Sequence, residues 1–249
     1  MKTEIPLLYY QPNDCFFLEK SISLNSKYFK NIFVLKEPNY FPFENIYKHM
    51  SSNSEPFEKL CFIRFFCMLN FIKQNKIDKF VYCDTDAIFL ESVDYENILG
   101  KDLCVACKPE EQSFYEQAIS AHFSIWTLNG LESFCNFLME TYSNNINLLI
   151  PKWEWHLMTK NLGGICDMTL LYHWYKTDNN LLKLRNDFVF DRNINDSSNN
   201  KINEFLMNNG LKNIIIENEK AYGFNKNNQK IQFAGLHFQG VAKNLILSL

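Results

Sequence analysis

Lys79-Phe80-Val81-Tyr82-Cys83-Asp84-Thr85-Asp86 is an apolar run of strand character that ends on two acids one residue apart. In extended backbone, alternate side chains share a face about 6–7 Å apart. Two carboxylates held that way can bind a hard divalent cation and leave coordination positions open to phosphate oxygens. The end of a strand is also where open α/β sheets bind their ligands. A solvated turn could carry the same two acids, so the surroundings decide. Here an amphipathic helix precedes the strand and the apolar run Ala87-Ile88-Phe89-Leu90 follows the acids.

Working outward toward the N-terminus, Pro56 to Gln74 reads as a long helix. Proline is tolerated in its first turn, Ser54 can cap it, and Leu60, Phe65, Met68, Leu69 and Ile72 form an apolar face. Before it, a strand at Ile5–Tyr10, a helix at Asp14–Asn25 and a strand at Asn31–Leu35 make a βαβ beginning. Toward the C-terminus, Leu103–Cys107 and His122–Leu128 read as strands. A helix follows at Asn129–Tyr142, with Asn129 as N-cap and Glu132 three residues on. Gly163-Gly164 breaks the chain ahead of a helix at Asp167–Lys176. Asp191–Asn203, dense in Asn, Ser and Asp, reads as a mobile surface loop. Strands at Ile214–Ile216 and Ile231–Phe233 precede the segment Leu236–Lys243. The alternation predicts one α/β domain over residues 1–249, a Rossmann-like fold with a central, mostly parallel mixed sheet flanked by helices.

The bulk numbers exclude several classes. The 249 residues suffice for a substantial core, and 47% apolar with 21% charged residues is an ordinary globular composition. A net charge of −3 with no Lys/Arg stripe argues against nucleic-acid binding. Met1-Lys2-Thr3-Glu4-Ile5-Pro6 lacks the apolar stretch of a signal peptide, and the apolar stretch Leu60–Ile72 carries Arg64 and is too short to span a bilayer. Most of the eight cysteines sit in apolar runs, as small hydrophobes do in reducing compartments. Cys104-Val105-Ala106-Cys107 has redox or zinc spacing but lacks a second pair. The expected location is cytoplasmic.

Phe80 to Asp86 resembles the DxD strand of GT-A glycosyltransferases, especially glycosyltransferase family 8 and related bacterial sugar transferases. In that family an arginine in the preceding helix helps hold the donor's diphosphate region, and Arg64 matches by position. His237-Phe238-Gln239-Gly240-Val241-Ala242-Lys243 is similar to the family's His-x-x-Gly-x-x-Lys motif. The resemblance implies His237 as third metal ligand beside Asp84 and Asp86, Gly240 as a site of close backbone approach to phosphate, and Lys243 on the diphosphate. Those roles suit the residue types: imidazole and carboxylates bind Mn²⁺, or Mg²⁺ through the carboxylates, glycine admits a close ligand, and lysine neutralises phosphate. Asp84 also counts with the donor site.

The centre of the chain departs from the family. Asp167 keeps the first acid of an Asp-Gln-Asp-like motif, but Met168 stands at the Gln position. Asp167 is the catalytic candidate, and equally a good N-cap for the helix it opens. His122 and Ser124 occupy the place of the family's strand beside the donor sugar. Trp153 and Trp155 are candidates for an acceptor platform, since aromatic rings pack on apolar sugar faces. The family likeness divides the chain into a nucleotide-sugar half, roughly residues 1–110, and an acceptor half, roughly 111–249.

The resemblance implies transfer of a sugar from a nucleotide-sugar donor, UDP-linked in most of the family, to a glycan, lipid-linked or protein acceptor. Retention of anomeric configuration is favoured, and a lipid-linked acceptor would bring peripheral membrane association. Oligomeric state is silent. Two rivals stand beside this reading. Phosphatases of the haloacid dehalogenase type also carry Asp-x-Asp after a strand, but they continue with Thr two residues on, where Ile88 stands. They also need later Asp-Asp or Gly-Asp pairs, and neither occurs. A non-catalytic module on a GT-A scaffold is the other rival, which the altered Asp167-Met168 region leaves open.

Overall fold

The first elements are β1 (Leu7–Tyr10), α1 (Leu18–Asn25) and β2 (Ile32–Leu35), as the βαβ pattern predicts, with α1 starting four residues later than expected. The computed structural model describes residues 2–92, 102–105, 113, 117–178, 181–183, 189–199, 203–218 and 220–249. After a short α2 (Phe41–Glu44) come α3 (Glu55–Gln74), β3 (Lys79–Cys83), β4 (Ala87–Phe89), β5 (Leu103–Val105) and β6 (Phe123–Thr127). Cys107 lies outside the described residues, and Cys104 is a buried, free thiol in β5. Next are α4 (Leu128–Ser143), α5 (Ile150–Thr159), α6 (Asp167–Asp178), β7 (Leu181–Lys183) and β8 (Val189–Phe190). Two short hairpins follow, β9 (Ser198–Asn199) with β10 (Asn203–Glu204), and β11 (Met207–Asn208) with β12 (Leu211–Lys212). β13 (Ile214–Glu217), β14 (Lys220–Phe224), β15 (Lys230–His237) and a 3₁₀ segment, Gly240–Ser248, complete the described elements.

Six strands form the central sheet in the order β2-β1-β3-β6-β5-β7. β1 pairs in parallel with β2 and β3, and β5 in parallel with β7, while β6 runs antiparallel between β3 and β5. The sheet is therefore mixed with a mostly parallel core, as expected. Successive side chains of β1 and β3 go to opposite faces. Leu8, Tyr10, Phe80 and Tyr82 join α3, α4 and α6 in one core, where Phe65, Phe134, Trp126 and Trp174 pack. Leu7, Tyr9, Val81 and Cys83 join a second core against Phe29, Phe89 and Ala234. With both faces covered, continuous apolar strands are what such a sheet requires.

That second core is roofed in part by another sheet, β13-β14-β15-β4, with β8 added in parallel to β15. β15 pairs antiparallel with β4, placing His237 opposite Ala87. Gly235 permits the approach: a Cβ there would lie 2.7 Å from the Phe123 ring of β6. At residues 191–194 the predicted loop Asp191–Asn203 is packed rather than a mobile surface segment. Asp191 and Ile194 are buried, Asp191 N donates to Gly235 O (2.9 Å), and Ile194 N donates to His237 O (3.0 Å).

Helix α4 corrects a predicted boundary. β6 runs into it without a loop, so the cap is Thr127, whose hydroxyl accepts from Gly130 N (3.0 Å), rather than Asn129. Thr127→Ala should cost about 1 kcal/mol, the usual loss for a hydroxyl cap. Urea denaturation reads it as a lower midpoint at unchanged slope. Among the described residues, no helix is long and apolar enough to cross a membrane.

Candidate functional site

β3 ends at Cys83, and Asp84-Thr85-Asp86 turns the chain directly into β4, with Ala87 N donating to Asp84 O (2.9 Å). β15, antiparallel to β4, ends at His237, and Phe238 N donates to Asp86 O (2.9 Å). Two stretches from distant parts of the sequence are thereby laced together at their tips. His237 Nε2 lies 3.2 Å from Asp86 Oδ1 and 3.8 Å from Asp84 Oδ2. One ligand atom from each of the three residues falls within 4.8 Å of the others.

The imidazole is oriented for ligation. Its Nδ1 is 2.7 Å from the Arg192 carbonyl oxygen, which can only accept, so Nδ1 carries a proton and Nε2, facing the carboxylates, is the atom that would ligate once the ring is neutral. This donor set of two carboxylates and one correctly tautomerised imidazole fits a divalent cation. Without a cation, burial lowers the His237 pKa, but its hydrogen bond to Asp86 and the charges of Asp86 and Asp84 outweigh burial and raise it.

His122 stacks on His237 with ring centroids 4.6 Å apart. It is buried, donating from Nε2 to Asp191 O (3.0 Å) and accepting at Nδ1 from the Ser120 hydroxyl (2.6 Å). Burial first, then the His237 charge, pushes its pKa down to about 3, so the ring stays neutral.

Arg64 projects from α3 to the other side of Asp84. Its Nη1 donates to Asp84 Oδ1 (3.0 Å) and to the Tyr82 hydroxyl (2.7 Å), while Nη2 pairs with Asp167 Oδ2 at the first turn of α6. The Tyr82 hydroxyl donates to the same Asp84 oxygen (2.6 Å). Burial opposes the Asp84 carboxylate, but Arg64, then His237 and the Tyr82 hydrogen bond, outweigh it and hold its pKa below the ordinary value. For Asp167 the balance reverses, and burial raises the pKa against the pull of Arg64. Lys243 Nζ sits 3.1 Å from Asp86 Oδ2. Gly240, at φ +57°, opens the 3₁₀ segment and faces open space where a side chain would be.

Two cavities meet at this cluster. The larger, about 500 Å³, carries Arg64, Asp84, Asp86, His237, Gly240 and Lys243 on its wall, together with the loop after β1. In that loop Gln11 accepts from the Thr85 hydroxyl (2.9 Å). The wall therefore draws on both the first 110 residues and the C-terminal motif. The smaller cavity, about 320 Å³, shares Arg64, Asp84 and His237 and extends to Asp167, Glu58 and Lys152.

Six residues singled out in the sequence thus line one cavity, and Asp167 joins them through Arg64. Four others take different places. His122 and Ser124 line neither cavity, and the Ser124 hydroxyl is committed to Ala121 O (2.8 Å) and Trp126 Nε1 (2.9 Å). Trp153 packs partly against the core, and neither it nor Trp155 lines either cavity. On α5 the cavity-facing pair is Lys152 and His156, one helical turn apart. Tyr82, Glu58, Asp191 and Lys212 went unread in the sequence. Glu58 is buried, accepting at Oε1 from Asn53 (2.6 Å) and Ser51 (3.1 Å), while Oε2 has no hydrogen-bond partner among the described residues.

No protein-family model matches the chain, and no curated protein matches it. Among solved structures, a glycosyltransferase involved in the glycosylation of the major capsid of PBCV-1 is similar at a TM-score of 0.51 and 9% identity, covering 99% of this chain and 100% of that one. Mouse xyloside xylosyltransferase 1 aligns at a TM-score of 0.45 and 9% identity, over 78% of this chain and 87% of that one. The bifunctional glycosyltransferase WbbM aligns at 0.42 and 9% identity, and the alignment covers 80% of this chain and 41% of WbbM. The first of these matches end to end and identifies the architecture: this chain has the mixed-sheet α/β fold of a GT-A glycosyltransferase.

Proposed function

We propose that the protein is a metal-dependent glycosyltransferase that moves a sugar from a nucleotide-sugar donor, uridine-linked by resemblance, to a glycan, lipid-linked or protein acceptor. One observation carries the reading. Asp84, Asp86 and His237 meet within 4.8 Å on the wall of a 500 Å³ cavity that also holds Arg64 and Lys243.

Asp84, Asp86 and His237 would hold a divalent ion, Mn²⁺ or Mg²⁺, which when bound offsets the charge gathering on the leaving diphosphate. Lys243 adds a charge-assisted contact to the same oxygens, as far as its tie to Asp86 is released. Gly240 lets the backbone come close to phosphate. Arg64 keeps Asp84 ionised and in place, and its link to Asp167 ties the donor cavity to the smaller one. The nucleoside would lie along the loop after β1, with the sugar toward the smaller cavity. There Asp167 is the carboxylate assigned to the transfer step, and the acceptor would enter by the same cavity. Retention is the outcome the family likeness favours.

The phosphatase reading gains nothing from the site, because Asp84 is pinned by Arg64 and Tyr82 rather than free to attack. A thermal-shift screen of UDP, GDP, CDP and their sugars, with and without Mn²⁺, tests the proposal. At ~100-fold over its dissociation constant a ligand adds about 2.7 kcal/mol of stability. The expected result is a Mn²⁺-dependent rise in melting temperature with one nucleotide. A folded sample that answers none of them removes the donor reading.

A further inference from the structure

Close to His237, but lining neither of the two cavities described above, lies a fully buried ion pair with no part in the scheme above. Lys212 and Asp191 both have side chains at 0% exposure, and Lys212 Nζ donates to Asp191 Oδ1 (2.7 Å) and to Asn193 O (2.6 Å). A buried ion pair often contributes less to stability than apolar side chains of the same volume would. What this one holds is the strap 191–194, which makes three hydrogen bonds with His237 and reaches it once more through another side chain. The Arg192 carbonyl accepts from His237 Nδ1 (2.7 Å), Asp191 Oδ2 accepts from His237 N (3.4 Å), and Ile194 N donates to His237 O (3.0 Å). The fourth contact is indirect: Asp191 O accepts from His122, which stacks on the His237 ring. Lys212 is fastened in turn, its own N donating to Ile194 O (2.8 Å).

We propose that Lys212 and Asp191 are positioning residues for the metal-ligating imidazole. They clamp the strap so that the Arg192 carbonyl fixes the Nδ1–H tautomer and aims Nε2 at Asp84 and Asp86. The inference rests on the metal-dependent reading of the site. It assigns a function to the β11–β12 hairpin, which supplies Lys212 and otherwise stands apart from the chemistry. Outer-shell partners of metal-bound histidines commonly matter by about 10- to 100-fold in affinity.

The test is Mn²⁺ titration followed by electron paramagnetic resonance, on the wild-type chain, Lys212→Met and the double variant Lys212→Met, Asp191→Asn. The double variant leaves no unpaired buried charge, so it guards against simple misfolding of the single one. Folded variants are expected to bind Mn²⁺ about 10- to 100-fold more weakly. Imidazole ¹⁵N shifts at a pH where the ring is neutral supply a readout that a purely structural role would not move. Wild type should show His237 as the Nδ1–H tautomer, and the variants a mixture. A folded variant with wild-type Mn²⁺ affinity overturns the positioning role, as does a wild-type His237 protonated on Nε2. A wild-type chain that binds no Mn²⁺ overturns the metal reading itself and this inference with it.

Discussion

Arg64→Met is expected to destabilise the folded protein by about 3 kcal/mol, the lower end of the range for removing one partner of a buried charge cluster. The guanidinium is 12% exposed and is shared between Asp84 and Asp167, with the Tyr82 hydroxyl as a third partner. Without it the carboxylates of Asp84, just after β3, and Asp167, at the start of α6, lose the guanidinium that pairs with both. They would respond by taking up protons or by pushing α6 away, and either change disturbs the wall common to both cavities. Urea denaturation measures the loss as a lower midpoint at constant slope. Asp167→Asn introduced into Arg64→Met should recover part of it, because only one uncompensated carboxylate then remains. A loss below about 1 kcal/mol, the scale of an exposed pair, would mean that solvent reaches the cluster freely.

The second large effect concerns ligand binding. Asp86→Ala removes the carboxylate that touches both His237 and Lys243. It should lower Mn²⁺-dependent nucleotide affinity by more than about 100-fold, beyond the range seen for outer-shell partners. Near-ultraviolet circular dichroism should stay unchanged, since the strand pairing of β4 with β15 relies on backbone groups. Calorimetric titration of the nucleotide selected by the thermal screen, with and without Mn²⁺, measures the change. Equal affinity in the variant and wild type would sink the assignment of this carboxylate.

Much of this architecture could be read from local pattern. β3 occupies the predicted residues because an apolar run bounded by lysine and aspartate has few other uses, and α3 matches within one residue. Asp84, Asp86 and His237 converge because motif spacing puts them at strand ends, where the sheets meet, and Arg64 from α3 and Gly240 and Lys243 from the 3₁₀ segment line the same cavity. The omissions have physical causes. β14 escaped notice because its inward positions are Ala221 and Gly223. A side chain at 223 would strike the Phe233 and Phe205 rings, so the strand lacks the bulky alternation that marks its neighbours. The strap after β8 reads as polar loop because nothing local reveals that Asp191 will be neutralised by a lysine on another hairpin. Tyr82 looks like core, and its hydroxyl acquires a role only when α3 delivers Arg64 beside it. In α5 the tryptophans drew attention by composition, whereas helical geometry turned Lys152 and His156 toward the cavity.

The lacing of β15 against β4 has a consequence for how the protein is made. The two aspartates are synthesised well before the imidazole that completes their set, which ends the last strand of the described fold. A nascent or truncated chain ending ahead of Lys230 would present two acids to solvent and no cage for an ion. If the site binds a cation as proposed, its capture would report on completion of the fold, and the cation would act on folding as a late latch rather than as an early nucleus.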